Sequence, residues 1–567
     1  MILTQKRRNK KRDIIWLILS IVIIVLCNFI GSFVFHRFDL TSEKRYTLSD
    51  DTKQLMESTK SLVYVKVYLD GDFPAGFKRL KNETKEMLEE FRAYSNGNLQ
   101  FEFINPSASP DPKVRDAFYR QLYKQGLIPT NLQVKGDNGG NSEQVIFPWA
   151  VISYRGQDAK VQLLQNDPGV PPDQALNNSV ERLEYDFSSA MRILKDPLRP
   201  EIGFLYGHGE LDSLKVADIS TTLNQFYAVK RIKIDGRLDA LKDVNLLVVA
   251  KPYTIINEKD KFIIDQFVMH GGKILWLVSP VYTNMDSLHH SGITMGMPLD
   301  VNLNDMFFKY GVRLNSDIVQ DMQCSMIPIN KAFQGSPPDW QLVPWVYTPL
   351  IGNNPDNIIT KNLDLLEFDF ASSLDTIGAD GIKKTFLLRT SKYSRLAETP
   401  TRVSLGIVEY PLAMQQFDKP FQPLAVLLEG KFQSLYTNRV PPKIANDSAI
   451  DFKRESPATK MIVIADGNVI KNEIQQSTGR ALPLGYDFYT NMTYGNKNFI
   501  LNCINYLTGD DGLISLRGRE IKLRLLDKKK IANERLQWQL INTVIPFLLI
   551  VLYGFIKYLI RRKKYSL

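Results

Sequence analysis

Two segments of this chain are apolar almost without interruption, and most of what lies between them alternates. Ile14 to Phe35 (IIWLILSIVIIVLCNFIGSFVF) runs about 22 residues without a charge, enough at roughly 1.5 Å per residue to cross a hydrocarbon core of about 30 Å. Leu540 to Ile560 (LINTVIPFLLIVLYGFIKYLI) is nearly as apolar, and its Lys557 lies near the end, where a long side chain reaches the interface. Both are predicted to span a membrane. After the first span, Ser49 is placed to cap a short helix. Leu62 to Leu69 alternates as a strand does, and Phe77, Leu80, Met87, Leu88, Phe91 and Tyr94 fall at helical spacing. Leu99 to Ile104 reads as a strand, Lys113 to Lys124 as a helix, and Val145 to Tyr154 and Ala159 to Leu164 as two more strands. Leu176, Val180, Leu183, Phe187, Met191 and Leu194 mark a long amphipathic helix. The order βαβαββα over residues 36–198 is that of a thioredoxin-like α/β domain, although other α/β arrangements share it.

From about Pro200 the pattern changes. Ile202 to Tyr206, Leu246 to Ala250, Ile274 to Val278 and Met461 to Ala465 are short continuous apolar runs, as expected of strands buried on both faces, and helical patterns such as Lys261 to His270 alternate with them. Residues 199–515 therefore read as a doubly wound α/β domain with a mainly parallel sheet. Between about 281 and 423, Pro, Gly and Asn become frequent, which marks a large insertion; Leu424 to Leu428 is placed to return to the sheet. Residues 516–539 form a basic helical lead-in to the second span, 540–560.

Charge sets the orientation. Lys6, Arg7, Arg8, Lys10, Lys11 and Arg12 precede the first span (14–35), and Arg561, Arg562, Lys563 and Lys564 follow the second. The positive-inside rule puts residues 1–13 and 561–567 in the cytoplasm and the body between the spans on the outer side, the periplasm if the membrane is an inner one. Arg517 to Arg535 is also basic, but long translocated domains largely escape the rule. These three basic stretches carry more positive charge than the chain's net +10, so the remainder is acidic overall. The excess belongs to membrane flanks and excludes a nucleic-acid footprint. The 44% apolar and 23% charged composition of the 567 residues is that of folded material. Cys27 lies in the first span; Cys324 and Cys503 could pair in an oxidising compartment, but Cys503 falls on the apolar side of a predicted helix, where an inert thiol is expected.

Candidate chemistry gathers at the carboxyl ends of the predicted strands, where open parallel sheets bind ligands. Those ends carry Gly207, His208, Gly209 and Glu210, then Lys251-Pro252, Ser279-Pro280 and Asp466-Gly467. They could hold a small saccharide or peptide ligand, or only let the chain turn. A hydrolase needs more: no G-x-S-x-G and no strand-end cysteine occurs, and the five histidines form no metal-ligand motif. His289-His290 falls in a loop. Gly271-Gly272-Lys273 lacks the upstream glycine and the hydroxyl of a phosphate loop, and reads as a helix C-cap. The expectation is a protein without catalytic residues, metal or cofactor. In the second span, Asn542 and Pro546 are candidates for contact with a partner helix.

Several blocks together, FDLTSEKRYTLSDDTKQLM, IGFLYGHGE, HGGKILWLVSP, LNDMFFKYGVRLNSDIVQD, GNKNFILNCINYLTGDD and ERLQWQLINTVIPFLLIVLYGFIKYLIRRKKY, resemble the GldG family of gliding-associated ABC transporter auxiliary proteins, over nearly the whole chain. The resemblance implies a non-enzymatic inner-membrane subunit that works with a separate ABC permease and a separate cytoplasmic ATPase in gliding motility. It also implies a glutamine-amidotransferase-like sheet domain without its nucleophile. The family is often labelled substrate-binding, and the resemblance carries over no ligand residue. Assembly with further copies of the chain stays open.

Overall fold

The computed structural model describes residues 14–26, 47–135, 141–165, 171–195, 199–283, 287–288, 291–332, 336–409, 412–441, 446–447, 450–509 and 528–565. His36, His289, His290, the acidic pair Asp510-Asp511, residues 27–35 of the first predicted span and most of the basic lead-in lie outside them. Two compact units result, the first with described residues from 14 to 509, the second from 528 to 565.

The first unit begins with helix α1 (Ile14–Leu26), exposed along its length. Helix α2 (Asp50–Glu57) starts at Ser49, whose hydroxyl accepts the Thr52 amide at 3.2 Å, with Asp50 and Asp51 placed in the first turn where the helix dipole favours negative charge. There follow β1 (Val63–Val67), α3 (Ala75–Tyr94), β2 (Leu99–Phe103), α4 (Pro112–Lys124), the hairpin β3 (Thr130–Lys135) and β4 (Asn141–Ile146), then β5 (Trp149–Tyr154), β6 (Gln157–Gln162) and α5 (Pro172–Lys195). The sheet order is β2-β1-β5-β6, with β1 parallel to β2 and antiparallel to β5. Alternate residues Val63, Val65 and Val67 face a core closed by Phe91 of α3 and Phe187 of α5, whose rings meet edge to face at 6.4 Å. The strand predicted over Val145 to Tyr154 is two strands. Pro148 cannot donate to a ladder, and the chain jogs there, with the Trp149 amide bonded to the Phe147 carbonyl.

The second sheet has seven strands. β7 (Glu201–Leu205), α6 (Ala217–Leu223), β8 (Ala228–Ile232), β9 (Leu246–Ala250), α7 (Glu258–Met269) and β10 (Lys273–Leu277) succeed one another, and Thr459–Ile464 lies parallel beside β10. Pro423–Gly430 and Ile382–Arg389 extend that edge antiparallel, so the sheet is mainly parallel with two antiparallel strands at one edge. The chain re-enters after a long insertion and needs no crossover helix there. Helices cover both faces. Val248, Leu275 and Ile462 meet Ile219 and Leu223 of α6 and Phe499, Ile500 and Cys503 of the helix Asn496–Thr508. Leu247, Val249, Ile274 and Trp276 meet Ile264 and Val268 of α7 and Phe307 of the helix Asn304–Tyr310. Helix α7 ends as the glycine pair predicts: Gly271 has φ +91°, and the Gly272 amide returns to the Phe267 carbonyl. Cys503, fully buried, and Cys324, half-buried, are both free thiols; burial pushes both up, Cys324 to about 11.

In the second unit the helix Lys528–Tyr565 continues through Pro546. Its stretch Gln537–Lys563 is long and apolar enough to cross a membrane; the described part of the first predicted span, Ile14–Leu26, is a shorter apolar helix.

Candidate functional site at the carboxyl ends of the strands

The turn after β7 is built around glycine. Gly207 and Gly209 have φ of +121° and +78°, and a Cβ on Gly209 would sit 2.9 Å from Tyr253 Cβ. These conformations bring His208 inward, where it is 6% exposed. Its Nδ1 lies 3.3 Å from Glu210 Oε1 and its Nε2 2.9 Å from Asp260 Oδ2, while its backbone N–H donates to Glu210 Oε2 at 2.7 Å. The hydrogen bond to Glu210 foremost, and then the bond to Asp260 and both negative charges, raise the imidazole pKa against the opposing effect of burial. Asp260 is itself held by the Gly236 amide at 2.7 Å and by Asn257, which caps α7. The His208 carbonyl accepts the amides of Tyr253 and Thr254. His208 thus joins the β7 turn, the β9 turn and the start of α7. Both ring nitrogens face carboxylates, so the imidazole has no free nitrogen to act as a base.

Asp466 belongs to a different cluster, on the other side of the β9 turn. It is fully buried, with Oδ2 accepting the Asp369 amide at 2.9 Å and Oδ1 the Asn468 amide at 2.7 Å. Burial first, then the charge of Asp369, push its pKa up to about 7. Lys251 donates to Asn468 Oδ1 at 2.6 Å, and burial lowers its pKa although Asp369 and Asp466 oppose the shift. Its backbone is left-handed, at φ +55°, the kind of strained conformation that concentrates at functional sites. Gly467 leaves the space: a Cβ there would lie 2.5 Å from Lys251 Cβ. Glu367, two residues before Asp369, is raised to about 8, chiefly by burial. Among the described residues no group of three or more His, Cys, Asp or Glu could hold a metal ion.

The five predicted site residues therefore fall into two groups that share only the turn 251–254: Gly207, His208, Gly209 and Glu210 in one, Asp466 in the other. Asp260, Asp369 and Asn468 were not singled out from the sequence.

A family model described as "ABC-type uncharacterized transport system" matches residues 199–503, more than half of the chain and nearly all of the seven-stranded domain. The chain belongs to this transport-system family. Membership places the chain among the auxiliary components of ABC-type transport systems. A domain of unknown function (DUF7088) matches residues 42–153. A protein of Borreliella burgdorferi, described as uncharacterized, is 22% identical over 98% of this chain and 99% of its own length. Two solved structures align loosely. The mmIFT52 N-terminal domain does so at 12% identity and a TM-score of 0.31, over 54% of this chain and 97% of its own. The exo-beta-1,4-mannosidase Op5Man5 from Opitutaceae bacterium strain TAV5 does so at 10% and 0.21, over 68% and 45%. At such scores neither carries an argument about this member of the transport-system family.

Proposed function

We propose that the chain is the auxiliary subunit of an ABC transport complex required for gliding motility, acting with a separate permease and a separate ATPase. In this reading two spans, 14–35 and 540–560, hold it in the inner membrane with both termini in the cytoplasm and the α/β body in the periplasm. The observation that carries the reading is the family match over 199–503. The resemblance to gliding-associated auxiliary proteins supports the process and partners, and the basic flanks of the two apolar segments support the orientation. The order β2-β1-β5-β6 supports a thioredoxin-like domain over 36–198, and the sheet covered by helices on both faces supports an amidotransferase-like one over 199–515. His208 acts as a structural clasp in this reading, and Asn542 and Pro546 meet a partner helix.

A second reading, favoured by the buried Asp466–Asp369–Lys251 cluster, is a membrane-anchored module that takes a saccharide or peptide at the strand ends, with Gly207, His208, Gly209, Glu210 and Asp466 around it. Isolation of the tagged full-length chain from native membranes in mild detergent separates the two. Co-isolation of a permease and an ATPase in fixed ratio is expected. Recovery of the chain alone with a tightly held small molecule would favour the second reading instead. A deletion strain that still glides would remove the motility assignment.

A further inference from the structure

Past His208 the β9 turn presents a surface. Tyr253 is 48% exposed, and its ring lies 5.5 Å from that of Tyr282, 36% exposed. Tyr282 belongs to a three-stranded antiparallel sheet of Val281–Tyr282, Ile293–Pro298 and Thr401–Ser404. On the middle strand Thr294 and Gly296 turn inward, Thr294 buried and Gly296 so close to Ile318 that a Cβ would lie 2.6 Å from it. Ile293, Met295 and Met297 turn outward, 37%, 47% and 43% exposed. Tyr282 pairs with Met297, so the tyrosine pair runs on into the two methionines and Ile293. An antiparallel sheet with one solvated face carries polar residues there. This one carries apolar residues, and on these strands the outward face bears one charge, Arg402, opposite Met295.

We propose that this face docks an apolar segment of another subunit of the transport complex, a segment that sets a carboxylate against Arg402. The inference rests on the reading that the chain acts within such a complex. The chemistry of the face selects the occupant. A saccharide platform sets hydrogen-bonding side chains around its aromatic rings, whereas Met295, Met297 and Ile293 offer none; flexible thioethers suit a protein surface that must repack. A second copy of the chain fits poorly, because a two-fold contact centred here would bring two Arg402 side chains together. The exposed apolar area is of the order of a few hundred Å², short of the roughly 800 Å² per partner that a free-standing complex buries. A contact of that size holds when both partners are confined to one membrane and their effective concentration is high.

The test uses the full-length chain in native membranes, with a photo-crosslinking benzoylphenylalanine in place of Met297 and, as a control, in place of the exposed Lys85. Position 297 is expected to crosslink one transport-complex subunit, at an apolar peptide containing Asp or Glu, and position 85 is not. Arg402→Glu should lower the yield roughly fivefold or more, and Lys in place of the mapped carboxylate should restore it. The proposal is overturned if position 297 crosslinks nothing or only a second copy of the chain, or if Arg402→Glu leaves the yield unchanged. Loss of this crosslink while permease and ATPase still co-isolate with the unsubstituted chain counts against the docking face alone. Failure of that co-isolation counts against the transport-complex reading itself.

Discussion

His208 and Asp466 both lie at strand ends, yet their protons act on stability in different pH windows. The imidazole pKa is raised above the ordinary 6.5, so its stabilisation is complete below that value and is lost as pH rises through the higher folded value. Replacing it with Ala leaves Glu210 and Asp260 facing each other without the cation, at a cost of about 3 kcal/mol at pH 6. Thermal melts of the detergent-solubilised chain should show that deficit narrowing as the pH is raised; a deficit constant from pH 6 to 9 would mean that folding leaves the imidazole pKa where it is in the unfolded chain. Asp466 is raised from the ordinary 3.8 to about 7, so across that window the folded chain keeps a proton that the unfolded chain has given up. Its contribution therefore falls as pH rises from about 4 to 7 and is level above. Asp466→Asn should flatten that fall, at a cost of about 1–2 kcal/mol near pH 4, where the amide replaces one of the two oxygens that accept backbone N–H groups.

At the scale of elements, α7 ties these residues to the fold. Asn257 caps the helix through the Asp260 amide at 2.9 Å and also donates to Asp260 Oδ2, the oxygen that holds His208. Asn257→Ala is expected to cost about 1–2 kcal/mol, the upper part of the range for a lost cap, and to speed hydrogen exchange at residues 251–256 as well as in the first turn of α7. Exchange confined to the helix end would show a cap and no clasp. The sequence made β9, β10 and α7 legible because strands buried on both faces leave continuous apolar runs and the Gly271-Gly272 pair marks the end of the helix; the start of α7 at Asn257, ahead of the Lys261 to His270 pattern, was not legible. It did not reveal β8, whose AVKRI alternates weakly at the sheet edge, or β3, and it joined the end of β4 to β5 as one strand. Asp466 was legible because it follows a strand. Asp369 was not, since it lies 97 residues earlier within the insertion and reaches Asp466 only through tertiary structure. Asp260 resembles any acidic residue in the first turn of a helix, and nothing local pairs it with a histidine 52 positions earlier.

For the whole molecule, the helix Lys528–Tyr565, read as a membrane span, raises a question of hydrogen bonding. Pro546 lies inside the helix Lys528–Tyr565 and has no N–H, so the carbonyl of Asn542, four residues earlier, receives no helical donor. The Asn542 side chain adds an amide at the same level of the helix. Thr543, next along, is internally satisfied, its hydroxyl donating to the Gln539 carbonyl at 2.8 Å. Lipid chains offer Asn542 nothing, and each unmet backbone group in hydrocarbon costs several kcal/mol, whereas a neighbouring helix with a hydroxyl or amide donor meets the need. Pro546→Ala restores the missing donor, and Asn542→Leu removes the amide; neither change makes the helix less apolar, so both should leave membrane insertion intact. If the span packs against a permease helix, each substitution should lower the permease recovered with the chain several-fold in mild detergent, and the double substitution should lower it further. Undiminished recovery from membranes containing the double variant would make the helix a plain anchor and leave the α/β body as the seat of every partner contact.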